Sequence, residues 1–190
     1  MTDEELMLAI SNGDQSAYQI IVKQHLKSVS YYAYRMLGNQ KDTEDITQEA
    51  FLKLWVNAGK WQADKSKLST WLHRITRNLC IDFLRRHKRI ELQSEIQDEV
   101  EANQERRENP SDGSEAFQRA IQLELAIKGL PENQRSALTL CHYSGFSNKE
   151  AAVIMNMTIK ALESAIARAK RSLRKALSET SIEHLGIDDI

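Results

Sequence analysis

Residues 147–158 have the sequence Ser-Asn-Lys-Glu-Ala-Ala-Val-Ile-Met-Asn-Met-Thr, which predicts a short helix, a tight turn and the start of a second helix. Ser147 and Glu150 form a capping-box pattern, in which each side chain satisfies an exposed helix amide. Asn156 is predicted to form the turn, because asparagine accepts left-handed backbone angles more readily than most residues. Thr158 would cap the next helix. Helix, short turn and helix is the shape that lets a second helix lie in the major groove of DNA.

The second helix of this pair has one apolar and one basic face. Its apolar face is predicted from Ile159, Leu162, Ile166, Ala169 and Leu173 at helical spacing. The opposite face carries the residues that we predict to contact DNA, which are Lys160, Glu163, Ser164, Arg168 and Arg171. Cations there would bind phosphates, and residues near the start of the helix would reach base edges. The charge alone would also fit a solvated surface, but the caps and turn favour DNA binding.

The charge of the chain is unevenly distributed. The 190 residues carry a net charge of −1, yet residues 1–90 have 14 Lys and Arg against 10 Asp and Glu, whereas residues 91–119 have 3 against 9. A basic domain still binds phosphates, because charge is felt over only about 8 Å at physiological salt. Consecutive turn formers at 109–114 lie inside the acidic stretch. We therefore predict two helical domains, 1–90 and 116–177, an acidic linker, 91–115, and a tail, 178–190.

The first domain is predicted to be a bundle of four helices, so the fold class is all-α. Apolar residues at three- and four-residue spacing predict a helix to about Asn12, helices over about 16–37 and 42–58, and a fourth from about Ser69 to Arg89. Thr2 begins a second capping-box pattern, and Gly38 is placed to end the second helix.

The third helix carries an acidic surface. Its inward residues are predicted to be Ile46, Ala50, Phe51 and Leu54, which leaves Asp42, Asp45 and Glu49 together on the outside. Three interpretations of these carboxylates are open. They could be a solvated helix start that the helix dipole stabilises, a metal or acid–base site, or a docking surface for a basic partner.

A loop with aromatic and basic residues leads into the fourth helix. Rings that stack on bases, beside cations that hold phosphates, are what single-stranded nucleic acid requires. The candidate residues are Trp61, Lys65, Lys67, Trp71, Arg74, Arg77, Asn78 and Arg85. Both tryptophans could instead be core residues, so the sequence leaves open which of them would contact DNA.

The rest of the sequence gives no sign of a membrane segment or a catalytic centre. No apolar run reaches about 18 residues, and the acidic N-terminus is unlike a signal peptide, so we expect a cytoplasmic protein. Cys80 and Cys141 predict neither a disulfide nor a zinc site and are expected to be buried or half-buried. Together with His73 and His142 they show no recognised catalytic spacing. We therefore predict a protein that is not an enzyme and has no metal or cofactor.

Four motifs, in this order, resemble the extracytoplasmic-function (ECF) branch of the bacterial sigma-70 family, which keeps only sigma regions 2 and 4. The motifs are Asp42-x-Glu44-Asp45-Ile46-x-Gln48-Glu49-x-Phe51, Leu68-x-Thr70-Trp71-Leu72-x-x-Ile75-x-x-Asn78, Leu130-Pro131-x-x-x-Arg135 and Gly145-Phe146-Ser147-x-x-Glu150-x-Ala152. The resemblance covers residues 5–177. The acidic string is specific, whereas the helix-turn-helix pattern alone is weak.

The resemblance implies a function for each surface. The third helix would dock on the clamp of the largest subunit of RNA polymerase core through Asp42, Asp45, Gln48, Glu49 and Lys53. The second domain would meet the polymerase flap. The aromatic loop and fourth helix would open promoter DNA and capture a base of the −10 element, and the last helix would read the −35 element. The acidic linker would follow the RNA path of the polymerase, and an anti-sigma factor is implied as a regulatory partner.

The last helix departs from the family pattern. Ala161, Ala165 and Ala167 stand where family members often carry polar residues, so DNA shape would matter more than base contacts. A dimeric helix-turn-helix regulator is the alternative function. It would need a dimerisation helix, which the sequence does not show, and it leaves the acidic surface unexplained.

Overall fold

The computed structural model describes residues 1–94 and 115–179, and every regular element in these ranges is helical. The N-terminal half contains α1 (Asp3–Ser11), α2 (Gln15–Leu37), α3 (Gln40–Asn57), a 3-10 turn (Ala58–Lys60) and α4 (Leu68–Ser94). The C-terminal half contains α5 (Glu115–Lys128), α6 (Glu132–Leu138), a π-helical turn (Thr139–Tyr143), α7 (Asn148–Met155) and α8 (Ile159–Glu179). The predicted all-α class is confirmed. Most of the predicted linker, and the tail from residue 180, lie outside the described residues.

Local sequence signals fix the ends of the first helices. Thr2 and Glu5 make the predicted capping box of α1, in which the Thr2 hydroxyl accepts from the Glu5 amide at 3.2 Å. The Asp14 carboxylate accepts from two free amides at the start of α2. Gly38 ends α2 at φ 78°, a left-handed conformation that glycine adopts without strain. These caps hold α1, α2 and α3 as separate helices with short connections.

The helices α1–α4 pack around an apolar core. The predicted inward stripe of α3 is confirmed, since Ile46, Ala50, Phe51 and Leu54 are all buried. The other large buried side chains of this core are Leu6, Ile10, Ile21, Val29, Met36, Leu68 and Leu72. Burial of the inner face fixes the rotation of α3 and therefore leaves its acidic face in solvent.

The predicted helix-turn-helix is confirmed in α7 and α8. Ser147 and Glu150 form the capping box of α7, and Asn156 ends that helix in the left-handed conformation, at φ 52° and ψ 49°. The Met157 amide donates to the Ala152 carbonyl at 3.0 Å, which closes the turn. The Thr158 hydroxyl then accepts from an amide in the first turn of α8.

The inner face of α8 differs in detail from the expected one. Leu162, Ala169 and Leu173 are buried as expected, but Ile166 is half-buried and Ile159, in the first turn of α8, is 44% exposed. Ala165 is buried instead. Its small side chain therefore belongs to the core, and it does not lie on the outer face where we expected a base-contacting position.

The two halves share one buried cluster. It continues from α1–α4 into Ala137, Leu140, Ala151 and Ile154 of the second half. The helix α4 packs against α7 as well as against α2 and α3. Two faces of α4 are therefore buried, whereas the hydrophobic spacing of its sequence predicted one buried face. The second buried face includes His73, which is fully buried.

Candidate protein and nucleic-acid interfaces

The outer face of α3 is an uncompensated polar surface. The side chains of Asp45, Gln48, Glu49 and Lys53 are exposed, and within residues 1–94 and 115–179 none of them forms an ion pair or a side-chain hydrogen bond. Asp42 differs, because it is half-buried and accepts from the Asn39 side-chain amide. Asp42 therefore helps to fix the start of α3, while the other four residues are free to meet a partner.

Two exposed apolar residues extend this polar surface and were missed by the sequence analysis. Leu52 is 59% exposed and Val56 is 69% exposed. They follow Asp45 and Glu49 at helical spacing, so all four lie along one side of α3. Isolated apolar residues are common on surfaces, but a pair in line with unpaired charges has the composition of a protein interface. Continuing the helical spacing of Asp45 and Glu49 for two more turns along α3 predicts both residues on the same face.

The tryptophans beside α4 are partly core residues. Trp61 and Trp71 are both half-buried and pack against the main core. The Trp61 indole N–H is buried and has no hydrogen-bond partner among the described residues. The Trp61 ring also lines a groove of 170 Å³ between α1 and the aromatic loop, together with Leu8 and Gly59. Trp61 therefore packs against the core and also lines an open groove. The sequence alone could not show which of these two positions the side chain has.

The polar residues of the aromatic loop and α4 that were predicted to bind DNA do not all point to solvent. The side chains that are exposed are Lys65, Lys67, Arg74, Asn78 and Arg85. Arg77 is half-buried, and its guanidinium donates to the Asn133 side chain at 3.0 Å. Lys67 lies 2.8 Å from Glu150, and Arg85 lies 3.5 Å from Glu132. These partners belong to α6 and α7, so sequence-distant elements account for contacts that local periodicity could not predict.

The Lys67–Glu150 contact also affects a cap. The Lys67 ammonium and then the Ser147 amide lower the pKa of the Glu150 carboxyl. Both donors favour the charged carboxylate. Because the Lys67 side chain is 76% exposed, solvent screens the pair and its contribution to stability is small.

The outer face of α8 presents all five predicted DNA-contacting residues. Lys160, Glu163, Ser164, Arg168 and Arg171 are exposed. The four charged side chains form no ion pair with any other described residue. The Ser164 hydroxyl donates to the Lys160 carbonyl at 2.9 Å, which leaves its oxygen free to accept a hydrogen bond. The helix therefore offers free cations and polar groups on one accessible side.

The two cysteines, Cys80 and Cys141, are held in the thiol form by their surroundings. Burial raises the pKa of the Cys80 thiol to about 12, and burial also raises the pKa of the Cys141 thiol. A thiol must ionise to act as a nucleophile. Within the described ranges, no group of three or more His, Cys, Asp and Glu side chains is placed to hold a metal ion. None of the described helices is long and apolar enough to cross a membrane.

Comparison with known protein families gives a match in each half of the chain. The family model described as Sigma-70 region 2 matches residues 21–90, and the one described as Sigma-70, region 4 matches residues 120–173. The first contains α3 and α4, and the second contains the helix-turn-helix. The chain therefore contains two stretches that match sigma-70 family models, one in each half.

Similarity to individual proteins identifies the branch. The chain is 34% identical over 178 residues to the ECF RNA polymerase sigma factor SigE of Mycolicibacterium smegmatis, covering 91% of this chain and 67% of that protein. It is 32% identical over 177 residues to SigW of Bacillus subtilis, covering 90% and 94%. The chain belongs to the ECF branch of the sigma-70 family, as its motifs predicted.

Solved structures share the fold. CnrH in complex with the cytosolic domain of CnrY matches with a TM-score of 0.67 and 22% identity, covering 93% of this chain and 97% of that one. The sigma factor RpoE of Bartonella quintana, in complex with the anti-sigma factor NepR, matches with a TM-score of 0.67 and 25% identity, covering 85% and 96%.

Proposed function

We propose that this sigma factor binds RNA polymerase core through the outer face of α3 and directs it to promoter DNA. The observation that carries the assignment is the set of exposed, unpaired polar side chains on α3, Asp45, Gln48, Glu49 and Lys53, continued by Leu52 and Val56. A basic partner would pair with the carboxylates, and the apolar residues would form the dry centre of the contact. Asp42 contributes at the start of the helix, where its carboxylate accepts from the Asn39 side-chain amide.

A charge reversal tests this surface. We expect Asp45→Lys to abolish stable binding to core polymerase, because it places a cation against a basic partner, while thermal stability changes little at an exposed position. Asp82→Lys is the matched control, since Asp82 is exposed on α4 and the change in net charge is identical. Equal core affinities for the two variants, measured by competition on gel filtration, would reject α3 as the docking surface.

We further propose that the aromatic loop and α4 melt and hold the −10 element. The half-buried Trp61 and Trp71 would serve as stacking platforms, and Arg74, Arg77, Asn78 and Arg85 with Lys65 and Lys67 would bind the backbone of the separated strand. The groove beside Trp61 is the candidate pocket for an unstacked base. Trp61→Ala is expected to reduce permanganate-reactive thymines at the promoter while leaving closed-complex binding intact.

The C-terminal half is proposed to read the −35 element through α8 and to contact the polymerase flap. Lys160, Glu163 and Ser164 lie in the first two turns of α8, which is the part that enters the groove in helix-turn-helix proteins. Arg168 and Arg171 would bind phosphates further along. The domain limits that serve these functions are proposed to be 1–90 and 116–177, with 91–115 lying along the RNA path.

Regulation by an anti-sigma factor is part of the proposal. Its support is that the fold matches the sigma factor RpoE of Bartonella quintana, which was solved in complex with the anti-sigma factor NepR. The protein would act in the cytoplasm, where bacterial polymerase and promoters are, and it would have no catalytic activity of its own. Co-purification of core polymerase distinguishes this function from that of a dimeric helix-turn-helix regulator, which would bind DNA as a dimer without core.

A further inference from the structure

A groove of 540 Å³ lies where α4 meets the helix-turn-helix. It is lined by Arg74 of α4, by Lys149 of α7 and by the start of α8. Two of its apolar side chains are exposed, Val153 at 43% and Ile159 at 44%. Cations beside apolar side chains suit a sugar-phosphate backbone, since the phosphates pair with the cations and the sugars meet the apolar atoms.

The two cations of this groove have no internal acceptor. Within the part of the chain that the structure describes, neither Arg74 nor Lys149 forms an ion pair or a side-chain hydrogen bond. Lys67, two turns before Arg74 on the same side, is instead neutralised by Glu150 at 2.8 Å. Free cations that line one groove attract a polyanion.

Buried contacts between the two halves fix Arg74 relative to the helix-turn-helix. The Tyr32 hydroxyl lies 2.7 Å from the Ser136 hydroxyl, and both side chains are fully buried. His73, the residue before Arg74, places its ring edge-on to Phe146, with centroids 4.7 Å apart. Because a buried polar group without a partner is costly, the Tyr32–Ser136 contact favours one arrangement of the halves over a loose association. The groove is therefore formed before any ligand binds.

The docking geometry of helix-turn-helix motifs places this groove at the DNA backbone. The second helix of such a motif enters the major groove, and the first helix crosses the backbone beside it. Here the first helix is α7, which carries Lys149 in its first turn, and the predicted DNA-contacting residues of α8 are exposed. The backbone of a duplex that α8 reads would therefore pass Lys149. Arg74 lines the same groove and would meet the same strand.

We propose that the free chain binds double-stranded DNA without polymerase, with α8 in the major groove and with Arg74 and Lys149 holding the sugar-phosphate backbone beside it. This inference rests on the proposed function of α8 as the reader of duplex DNA, and it adds to that function a residue of the first half, Arg74. Contacts to phosphates carry no sequence information. They therefore hold the free factor on any duplex and let it slide along DNA before it meets core polymerase.

Each phosphate contact has a measurable effect on salt dependence. A cation that pairs with a phosphate releases counterions from the duplex, so one contact contributes about 0.9 to the slope of log affinity against log salt. Arg74→Ala and Lys149→Ala should each flatten the slope by about that amount. At low salt each should also lower the affinity by about two- to fivefold, the range expected for an exposed ion pair.

The experiment measures the fluorescence anisotropy of a labelled duplex of mixed sequence over a range of salt, and of one labelled strand alone. Four variants are compared with the native chain: Arg74→Ala, Lys149→Ala, Lys160→Ala and Lys23→Ala. Lys160 is exposed in the first turn of α8 and tests the function of that helix. Lys23 is exposed on α2 and does not line the groove, so its variant is the matched loss of charge. Thermal unfolding establishes that every variant is folded.

We expect the native chain to bind the duplex. Arg74→Ala, Lys149→Ala and Lys160→Ala should each flatten the slope by about 0.9, and Lys23→Ala should leave it unchanged. Lys149→Ala should lower the affinity for the duplex more than the affinity for the single strand, because α8 anchors only a duplex beside the groove.

Three results would overturn the composite surface. The first is that the native chain does not bind the duplex, or that Arg74→Ala and Lys149→Ala behave like Lys23→Ala. If Lys160→Ala still flattens the slope in that case, the function of α8 stands. The second is a flatter slope for Arg74→Ala and Lys149→Ala without one for Lys160→Ala, which would contradict the function of α8 as well. The third is a larger effect of Lys149→Ala on the single strand, which would assign the groove to separated strands.

Discussion

A substitution series at Asn156 tests whether the turn of the helix-turn-helix depends on one left-handed residue. The side chain of Asn156 is exposed, and its φ of 52° and ψ of 49° lie at the centre of the left-handed region. Substitution therefore changes backbone strain and little else. Alanine costs about 1–2 kcal/mol in this conformation. A β-branched valine costs up to about 3 kcal/mol, and glycine is close to neutral.

These energies translate into melting temperatures. For a chain of this length, 1 kcal/mol corresponds to about 2–4 °C. We therefore expect Asn156→Gly to melt within about 2 °C of the native protein, Asn156→Ala to melt about 2–8 °C lower, and Asn156→Val to melt lowest. Circular dichroism measures the series. Equal melting temperatures for glycine and valine, or a large loss with glycine, would refute the backbone explanation and point to a contact of the amide side chain.

Three further predictions concern other surfaces. The double variant Leu52→Ser, Val56→Ser should weaken core binding at least about tenfold, because the binding free energy loses about 1.5 kcal/mol or more when two apolar side chains are no longer buried. The control Leu8→Ser should not weaken core binding, since Leu8 is similarly exposed but lies on α1. Arg171→Ala should reduce the slope of log affinity for promoter duplex against log salt by about one phosphate contact, and an unchanged slope would make it a bystander. Burial lowers the pKa of His73 below its usual value of about 6.5. As the pH falls, His73 is therefore protonated in the unfolded chain before it is protonated in the folded one. The free energy of unfolding keeps its full value above about pH 6.5 and decreases below it. His73→Gln should make this decrease smaller in urea titrations.

The regular elements were predictable because their signals are local. The capping boxes at Thr2 and Ser147, the left-handed Asn156 and the stripe on α3 each depend on residues within a few turns. Hydrophobic spacing placed all four helices of the first half to within a few residues. The free polar surfaces of α3 and α8 followed from the same spacing, since burial of one helix face defines the exposed one.

The contacts between the halves could not be predicted from sequence. Tyr32 and Ser136 are 104 residues apart, and each is an ordinary polar residue on its own helix. The same holds for His73, which looked like an isolated histidine and is instead fully buried, with its ring edge-on to Phe146 of the second half. The basic pattern of α4 indicated a solvent-facing surface, but no local rule shows that α6 and α7 would lie on it.

The role of each tryptophan also depended on tertiary structure. The sequence leaves open which of Trp61 and Trp71 is a core residue and which contacts DNA, and in the structure both are half-buried. The burial of Ala165 and the exposure of Ile159 are similar cases, because the angle between α7 and α8 decides which turn of α8 is covered. Such angles arise from packing and have no signature in a single helix.

The most direct test of the account is reconstitution with bacterial core RNA polymerase. The purified protein is mixed with core, the complex is isolated by gel filtration, and transcription from a genomic promoter library is mapped by the 5′ ends of the transcripts. We predict co-elution with core and initiation at a defined set of promoters, both lost in Asp45→Lys and retained in Asp82→Lys. Failure of the folded, inhibitor-free protein to bind core, or binding without specific initiation, would contradict the assignment.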